Sequence, residues 1–311
     1  MKKIVLPEQQ WLEMRREGLG ASEAPTILGI NPYQTPLQLY HEKRGLIHSD
    51  EVAERQDRLE LGLLLQPVIY QWTQRHVVPL APITTAPGEM ELVISDQYEW
   101  LRCTPDAWAY VDEGPSPVPA EFKTAAWYAA SSWLDEEQPP LHYVVQVQHQ
   151  LLVTERDLGY LVALIGGETF RWTIIRRDEG FLRHYLERAT EFWQRVQAGD
   201  PPLAVGADKG LLNALRQQMG ARESVAVELP PEFYELRDRD EALAEQIRAL
   251  TAERDDLEAR VRQYLVEHGA TVGLLRDGRR YEYVIQSRAG YTVGPSTFAV
   301  LRRKGAAKGG R

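Results

Sequence analysis

The sequence predicts an α/β fold carrying a separate helical and β-hairpin appendage, on three observations. Apolar residues follow a helical period over 51–76 and an alternating one from Leu101 onward, after which strand-like and helical segments interleave. Near residue 206 the composition turns charge-rich and helical, just past the breaker cluster Gly199-Asp200-Pro201-Pro202. The chain has 311 residues, against a soft prior of ~150 per domain, and is 43% hydrophobic and 26% charged. With Trp100, Trp108, Trp172 and Trp193 as candidate core residues, this excludes a disordered, collagen-like or low-complexity chain. The expected division is 1–205 and 206–311.

Taken in order, Pro7 to Gly18 reads as a short amphipathic helix, followed by a loop and a helix beginning near Ser22, a good N-cap. Thr35-Pro36 opens the next helix, with Pro in its first turn, ending by Gly45. Over 51–76, Leu59, Gly62, Leu63, Gln66, Ile69, Tyr70 and Thr73 share one helical stripe, on which Gln66 is polar. Leu101 to Tyr110 and Pro117 to Thr124 read as strands joined by a Gly-Pro-Ser-Pro turn. A helix starting near Pro140 runs through Gln146 to Val153. Leu158 to Ile165 and Glu168 to Ile175 read as a hairpin with a two-residue Gly166-Gly167 turn, and a helix over Asp178 to Ala198 follows. In the second block, a helical segment spans Asp208 to Met219 and a long helix Pro231 to His268. There Leu236, Leu243, Ile247, Leu250, Leu257, Val261 and Tyr264 follow heptad spacing, interrupted by Asp240 and Arg254. Val272 to Gln286 reads as a hairpin turning at Asp277-Gly278, and residues 302–311 are basic with no acid.

A single cysteine, Cys103, excludes a disulfide framework or a Cys-rich zinc site and fits a reducing compartment. The N-terminal apolar run stops at Pro7, too short for a signal peptide, and no stretch approaches the ~18 apolar residues of a membrane span. A cytoplasmic protein with no membrane partner is expected. The formal charge of −9, taken alone, argues against a nucleic-acid partner.

The segment richest in chemistry is Thr104-Pro105-Asp106 followed by Glu121-Phe122-Lys123. On a strand Glu121 and Lys123 project together while Phe122 enters the core. A neighbouring strand or turn ending in Asp106 can add a second carboxylate. Two carboxylates and the Phe122 main-chain carbonyl are the hard oxygen ligands Mg²⁺ takes, and a lysine beside them can orient or activate a water. The helix that follows carries Gln146, Gln148 and Gln150, polar groups that need partners if buried. Taken by themselves, Arg15 reads as an exposed helix charge, Ser22 as an N-cap, Gln66 as a hydrogen-bonded core glutamine and Glu-x-Lys as a solvated cross-strand pair.

In order along the chain stand Trp11-Leu12-Glu13-Met14-Arg15, Gly20-Ala21-Ser22, Gly29-Ile30-Asn31-Pro32-Tyr33, Leu39-Tyr40-His41-Glu42-Lys43-Arg44-Gly45, Cys103-Thr104-Pro105-Asp106, Glu121-Phe122-Lys123 and Tyr143-Val144-Val145-Gln146-Val147-Gln148-His149. Over about residues 8–198 this series resembles the YqaJ-type viral recombinases, phage exonucleases similar to lambda exonuclease. The resemblance implies a PD-(D/E)xK, restriction-endonuclease-like core with a central mixed sheet flanked by helices. It implies degradation of linear duplex DNA from 5′ to 3′ with Mg²⁺, or Mn²⁺ in its place, two ions per site, leaving a 3′ single strand for an annealing protein. Asp106 and Glu121 would be metal ligands with the Phe122 carbonyl, Lys123 would serve the water, and Gln146, more than Gln148, would support the site. Arg15, Ser22 and Thr104 would hold a DNA 5′-phosphate, and a phage or prophage protein assembling as a ring trimer would follow by the same resemblance.

One position departs from that pattern. Where the family has Gly-x-x-x-Glu-Pro, this chain has Gly62-Leu63-Leu64-Leu65-Gln66-Pro67. An amide oxygen can coordinate Mg²⁺ or hold its water but brings no charge. Lower metal affinity, an enzyme that tolerates Gln, and a residue changed to blunt activity are the three readings. For function, a structure- or site-directed endonuclease on the same core and a weakly catalytic DNA-end-binding module whose second block recruits a partner stand beside the exonuclease. The net charge is reconciled by the acids that would hold cations and by the acid-rich 231–268 helix, leaving a salt-sensitive grip concentrated at the DNA end.

Overall fold

A computed structural model describes residues 1–47, 53–111, 116–127, 133, 139–218 and 226–284. The chain divides into two compact units, Met1–Leu212 and Asn213–Arg311. The first holds two four-stranded mixed sheets flanked by helices. One sheet has the order β1-β3-β4-β2, formed by β1 (Lys2–Pro7), β2 (Leu19–Gly20), β3 (Glu89–Ile94) and β4 (Leu101–Cys103). The other has the order β5-β6-β7-β8, formed by β5 (Ala107–Ala109), β6 (Val118–Ala125), β7 (Leu158–Ile165) and β8 (Thr169–Arg176). In the second sheet β6 pairs parallel with β7, while both outer pairs are antiparallel.

Alternation along β6 sorts its side chains. Val118, Ala120 and Phe122 join Tyr160, Val162 and Leu164 of β7 in a core closed by α4 (Ala53–His76) through Leu65, Ile69, Tyr70 and Trp72. Leu161, Ala163 and Ile165 face the other way and pack on Val147 and Leu151 of α5 (Leu141–Thr154). This second face is the one on which Glu121 and Lys123 stand. Residues Val145 through Thr154 of α5 are all buried, because the helix also packs on the first sheet and on α2 (Ala24–Ile27) and α6 (Glu179–Ala198). A third core, with Leu19, Val93, Leu101, Val153, Tyr185 and Phe192, fills that side.

Several expected elements are present. Helix α1 spans Glu8–Arg16, and α3 spans Pro36–Lys43 with Thr35 and Gln38 closing a capping box. Asp178 caps α6, accepting from the Phe181 amide, and Gly199 ends it in the left-handed region at φ +73°. Beyond residue 205 stand α7 (Lys209–Gln218), α8 (Glu232–Glu267) and the hairpin of β9 (Val272–Leu274) and β10 (Arg280–Glu282), whose turn contains Asp277-Gly278. The basic stretch 302–311 and the first half of the Gly-Pro-Ser-Pro turn lie outside the described residues.

Other expectations are corrected. The single strand over Leu101–Tyr110 is two strands in two different sheets, and Thr104-Pro105-Asp106 is the crossing between them. Proline lacks the N–H that a continuous ladder would need there. Ser22 is not a helix N-cap; it lies inside a single 3-10 turn, Ala21–Glu23. Leu63 is exposed, and Leu65 takes the core position on α4. Trp172 is 48% exposed on β8 and is not a core residue. Residues β7 and β8 join through three residues, Gly166, Gly167 and Glu168, with both glycines at positive φ. Strands β1 and β3 were not expected from the sequence.

His149 ties α5 to the first sheet. Its Nε2 lies 2.9 Å from the Arg102 carbonyl, which only accepts, so Nε2 carries the proton and Nδ1 accepts from the Tyr185 hydroxyl at 2.6 Å. Burial lowers its pKa from 6.5 to about 4. Between these values the unfolded chain binds a proton that the folded protein refuses, so stability falls with acidification across that window. Chemical denaturation should show a loss of about 2 kcal/mol from this residue between about pH 7.5 and pH 5, and His149→Gln should flatten the slope by that amount. An equal slope in the variant would contradict the assignment.

Candidate active site

The crossing between sheets delivers Asp106 to the open end of β6. Strand β5 pairs with β6 only as far as Ala107 opposite Ala120, so the β6 edge beyond it is unpaired by β5 at Phe122. Asp106 takes that place: its Oδ2 accepts from the Phe122 N–H at 2.7 Å. Because the N–H and C=O of one strand residue point to the same edge, the Phe122 carbonyl faces the Asp106 side as well. Asp106 Oδ1 accepts from Gln66 Nε2 at 2.5 Å.

Glu121, only 3% exposed, is held from three directions. Its Oε1 accepts from Lys123 Nζ at 2.6 Å and from Gln146 Nε2 at 2.5 Å, and its Oε2 accepts from Gln150 Nε2 at 2.6 Å. Gln146 and Gln150 are four residues apart, one turn along the same face of α5. Burial opposes the Lys123 charge, but the Glu121 and Asp106 carboxylates outweigh it and raise its pKa above 10.5, so it is an ammonium group. Asp106 behaves oppositely. Burial, and then the charge of Glu121, push its carboxyl up to about 8 against the opposing pull of Lys123 and its two hydrogen bonds.

This donor set fits a divalent cation. Two buried carboxylates act on each other with one ammonium, bonded to Glu121, to offset them, and burial together with the Glu121 charge leaves the Asp106 carboxyl raised. A cation there would relieve it, held by Asp106, Glu121 and the Phe122 carbonyl, all hard oxygen donors. Gln66 would contribute at most an amide oxygen, its nitrogen being turned to Asp106. Among the described residues no cluster of three or more His, Cys, Asp or Glu side chains forms a metal site. A cleft of about 240 Å³ opens beside Asp106 and Gln66, walled by Tyr70, Pro82, Ile83 and Thr104.

A second cluster adjoins the first. Arg15 Nη2 donates to Ser22 Oγ at 3.2 Å, and its guanidinium lies 4.7 Å from the centre of the Trp11 ring. Trp11 Nε1 donates to Thr104 Oγ1 at 2.9 Å, two residues before Asp106. Glu23 stands 3.8 Å from Arg15 and accepts from the Gly20 amide and from Lys43, whose Nζ also donates to the Arg15 carbonyl at 2.8 Å. The structure therefore brings together Asp106, Glu121, Lys123, Gln146, Gln66 and Phe122 as one group, and Arg15, Ser22 and Thr104 as another joined to it.

Gln148 belongs to neither. Its amide donates to the Arg176 carbonyl and accepts from the Asp178 N–H, joining α5 to the start of α6. Sequence reasoning assigned no role to Gln150, Trp11, Glu23 or Lys43. The four-residue spacing of Gln146 and Gln150 was the available signal for the first; nothing local marks the others.

Residues 10–157 match the family model of the YqaJ-like viral recombinase domain. The chain is 26% identical over 264 residues to the uncharacterized protein YqaJ of Bacillus subtilis (strain 168), an alignment covering 84% of this chain and 79% of that one. Among solved structures it is similar to the alkaline exonuclease LHK-Exo from Laribacter hongkongensis, with TM-score 0.48 and 16% identity over 62% of this chain and 94% of that one. It is also similar to a phage related exonuclease from Haemophilus somnus 129PT, with TM-score 0.41 and 12% identity over 60% of this chain and 96% of that one.

Two outcomes follow from the carboxylate geometry. Below the raised Asp106 pKa of about 8 a divalent cation must displace a proton, so calorimetry in buffers of different ionisation enthalpy should show about one proton released per cation at neutral pH. Apparent affinity should then rise about tenfold per pH unit on approach to that value. Gln66→Glu replaces the amide donor to Asp106 by a third carboxylate. It should lower the melting temperature without metal, by about 1–3 kcal/mol of stability, and tighten cation binding. A variant unchanged in both measurements would remove Gln66 from the site.

Proposed function

From the match of residues 10–157 to the family model of the YqaJ-like viral recombinase domain, together with the site geometry, we propose that this protein is a divalent-metal-dependent nuclease that degrades linear double-stranded DNA from 5′ to 3′ using Mg²⁺. The observation that carries this reading is the join between the two clusters. Thr104, bonded to Trp11 beneath Arg15, is separated from Asp106 by Pro105 alone. A phosphate-binding group and a hydrolytic group thus share one rigid turn.

In this reading Arg15 and Ser22 hold the terminal 5′-phosphate by charge-assisted hydrogen bonds. Glu23 and Lys43 hold Arg15 in place from behind. The next phosphodiester of the same strand then lies toward Asp106 and Glu121. A divalent cation bound there would polarise the phosphoryl oxygen and neutralise developing charge. Lys123 keeps its proton, so its role is to donate: one N–H is committed to Glu121, and the others are free to orient the attacking water or a phosphate oxygen. Gln146 and Gln150 fix Glu121 so that it presents the same face in every cycle.

Water adds to phosphorus and the bond to the 3′ oxygen breaks, releasing a nucleoside 5′-monophosphate. The shortened strand ends in a new 5′-phosphate, the same group that the Arg15 cluster receives. The 3′ single strand left behind is the substrate of an annealing protein, which places the activity in DNA recombination.

Digestion of linear and closed circular duplex DNA, with and without Mg²⁺, tests the reading. Linear DNA with 5′-phosphates should be consumed and the circle spared. Cutting of the circle would favour an endonuclease, and end binding without hydrolysis a binding module. Glu121→Gln and Lys123→Ala should each lower the rate at least about 100-fold while retaining DNA binding. Arg15→Ala should cost about 10–100-fold on 5′-phosphorylated ends and little on 5′-hydroxyl ends.

A further inference from the structure

Helix α8 of the second unit carries an apolar seam open to solvent. Leu236, Leu243, Leu250 and Leu257 recur every seven residues, followed in the same phase by Tyr264, and Phe233, Ile247 and Val261 occupy the alternating positions between them. In heptad terms the leucines are d and the second set a. The four leucines and Ile247 are between 40% and 64% exposed. The β9–β10 hairpin engages a different face of the helix, where buried Leu265 lies against Gly273. We infer that α8 pairs with α8 of a second copy of this chain, in antiparallel orientation, as a two-stranded coiled coil.

Leucine at d with β-branched Ile247 and Val261 at a forms an apolar seam whose rule for two strands is one of parallel pairs, so it does not set the orientation here. Orientation is decided by the two charged residues in the seam, Asp240 and Arg254, both at a. A parallel, in-register pair sets a against a, so Asp240 would face Asp240 and Arg254 would face Arg254. An antiparallel pair sets a against d. The register that overlaps the whole seam places Ile247 opposite Leu250, Val261 opposite Leu236 and Phe233 opposite Tyr264 of the second copy. In the same register Arg254 sits opposite Leu243, one turn from Asp240 of the other helix, about 4.5 Å along the axis. A guanidinium spans that step, and the twofold axis repeats the ion pair. The flanks do not decide the matter: Arg237 meets Glu258 of the second copy on one side, and Arg239 meets Arg260 on the other. Charges in the seam cost stability and select against the parallel arrangement. This pairing rests on the second unit alone and is independent of the nuclease reading.

Light scattering on the full chain over about 1–50 µM tests it. The wild type should form an assembly whose mass halves when Leu243→Lys and Leu250→Lys are combined, with helix content by circular dichroism retained because both positions are exposed. Asp240→Arg alone and Arg254→Asp alone should each weaken association about tenfold, and the double exchange should return it to within about threefold of the wild type. A monomeric wild type, or a mass that the lysine substitutions leave unchanged, overturns the proposal. Tighter association of Asp240→Asn, the signature of relieved like-charge contact in a parallel pair, overturns it too.

Discussion

A carboxylate buried on an interior strand of a sheet must be hydrogen-bonded at both oxygens or neutralised, and Glu121 imposes that requirement on the elements around it. Three donors meet it, from Lys123 on its own strand and from Gln146 and Gln150 on α5. Strand β6 must therefore lie in the sheet interior, where the alternation sends Phe122 into the opposite core. Helix α5 must present two amides one turn apart while buried along ten consecutive residues between two sheets, so its other buried polar groups, Gln148, His149 and Thr154, are each hydrogen-bonded as well. The remaining carboxylate, Asp106, has only Gln66, the Phe122 amide and the field of Lys123 to offset its burial, and its raised pKa measures the shortfall. The two carboxylates differ in their surroundings: Glu121 is hydrogen-bonded at both oxygens by side chains of β6 and α5, whereas Asp106 is the one whose pKa burial pushes up.

Much of this was legible because it is local. The two-residue period of β6, the Thr35 cap, the helix of 53–76 and the 2.6 Å partnership of Glu121 with Lys123 all follow from neighbours in sequence. What escaped is set by distant contacts. The apolar alternation from Leu101 to Tyr110 runs through Pro105 without interruption, so the periodicity hides the change of sheet and the missing N–H of Pro105 is the one local mark of it. Strand β1 is half-exposed along its length and exists because β3 pairs with it, an antiparallel match between residues some ninety positions apart, as in Lys2 with Ile94. Ser22 illustrates the reverse error: a good capping residue by type, it instead receives the Arg15 guanidinium. Gln148 differs from Gln146 and Gln150 only in phase, pointing to the far side of α5, and the 3.6-residue period alone separates them.

The charge of the whole chain was the wrong scale on which to judge a DNA partner. Acids at the site are paired with Lys123 or arranged for a cation, and many others line α8 in a separate compact unit, several in pairs such as Arg237–Glu241 and Arg262–Glu258. In the proposed reading the positive charge that matters is one guanidinium, Arg15, whose position is fixed by several contacts. Its ring partner Trp11 is bonded to Thr104, its backbone carbonyl to Lys43, and its side chain to Ser22.

That restraint bears on how strand length could be measured. If the terminal phosphate and the scissile phosphate are held by separate groups, the number of nucleotides removed per event depends on the distance between them, and any play would blur it. Here the first group reaches the second through Trp11, Thr104 and Pro105, whose ring fixes one backbone torsion, ending at Asp106, whose carboxylate is bonded to the main chain of β6 itself. The connecting segment is three residues long, bonded through Thr104 at one end and Asp106 at the other. The proline at the break between sheets is thus part of what restrains the spacing: the chain leaves one sheet, turns with one locked torsion, and enters the other directly after Asp106. In the proposed reading the two phosphate-holding groups, one on α1 and its adjoining 3-10 turn and one on the short crossing between sheets, would be tied together before DNA arrives, leaving the binding energy of the end available for alignment of the scissile bond.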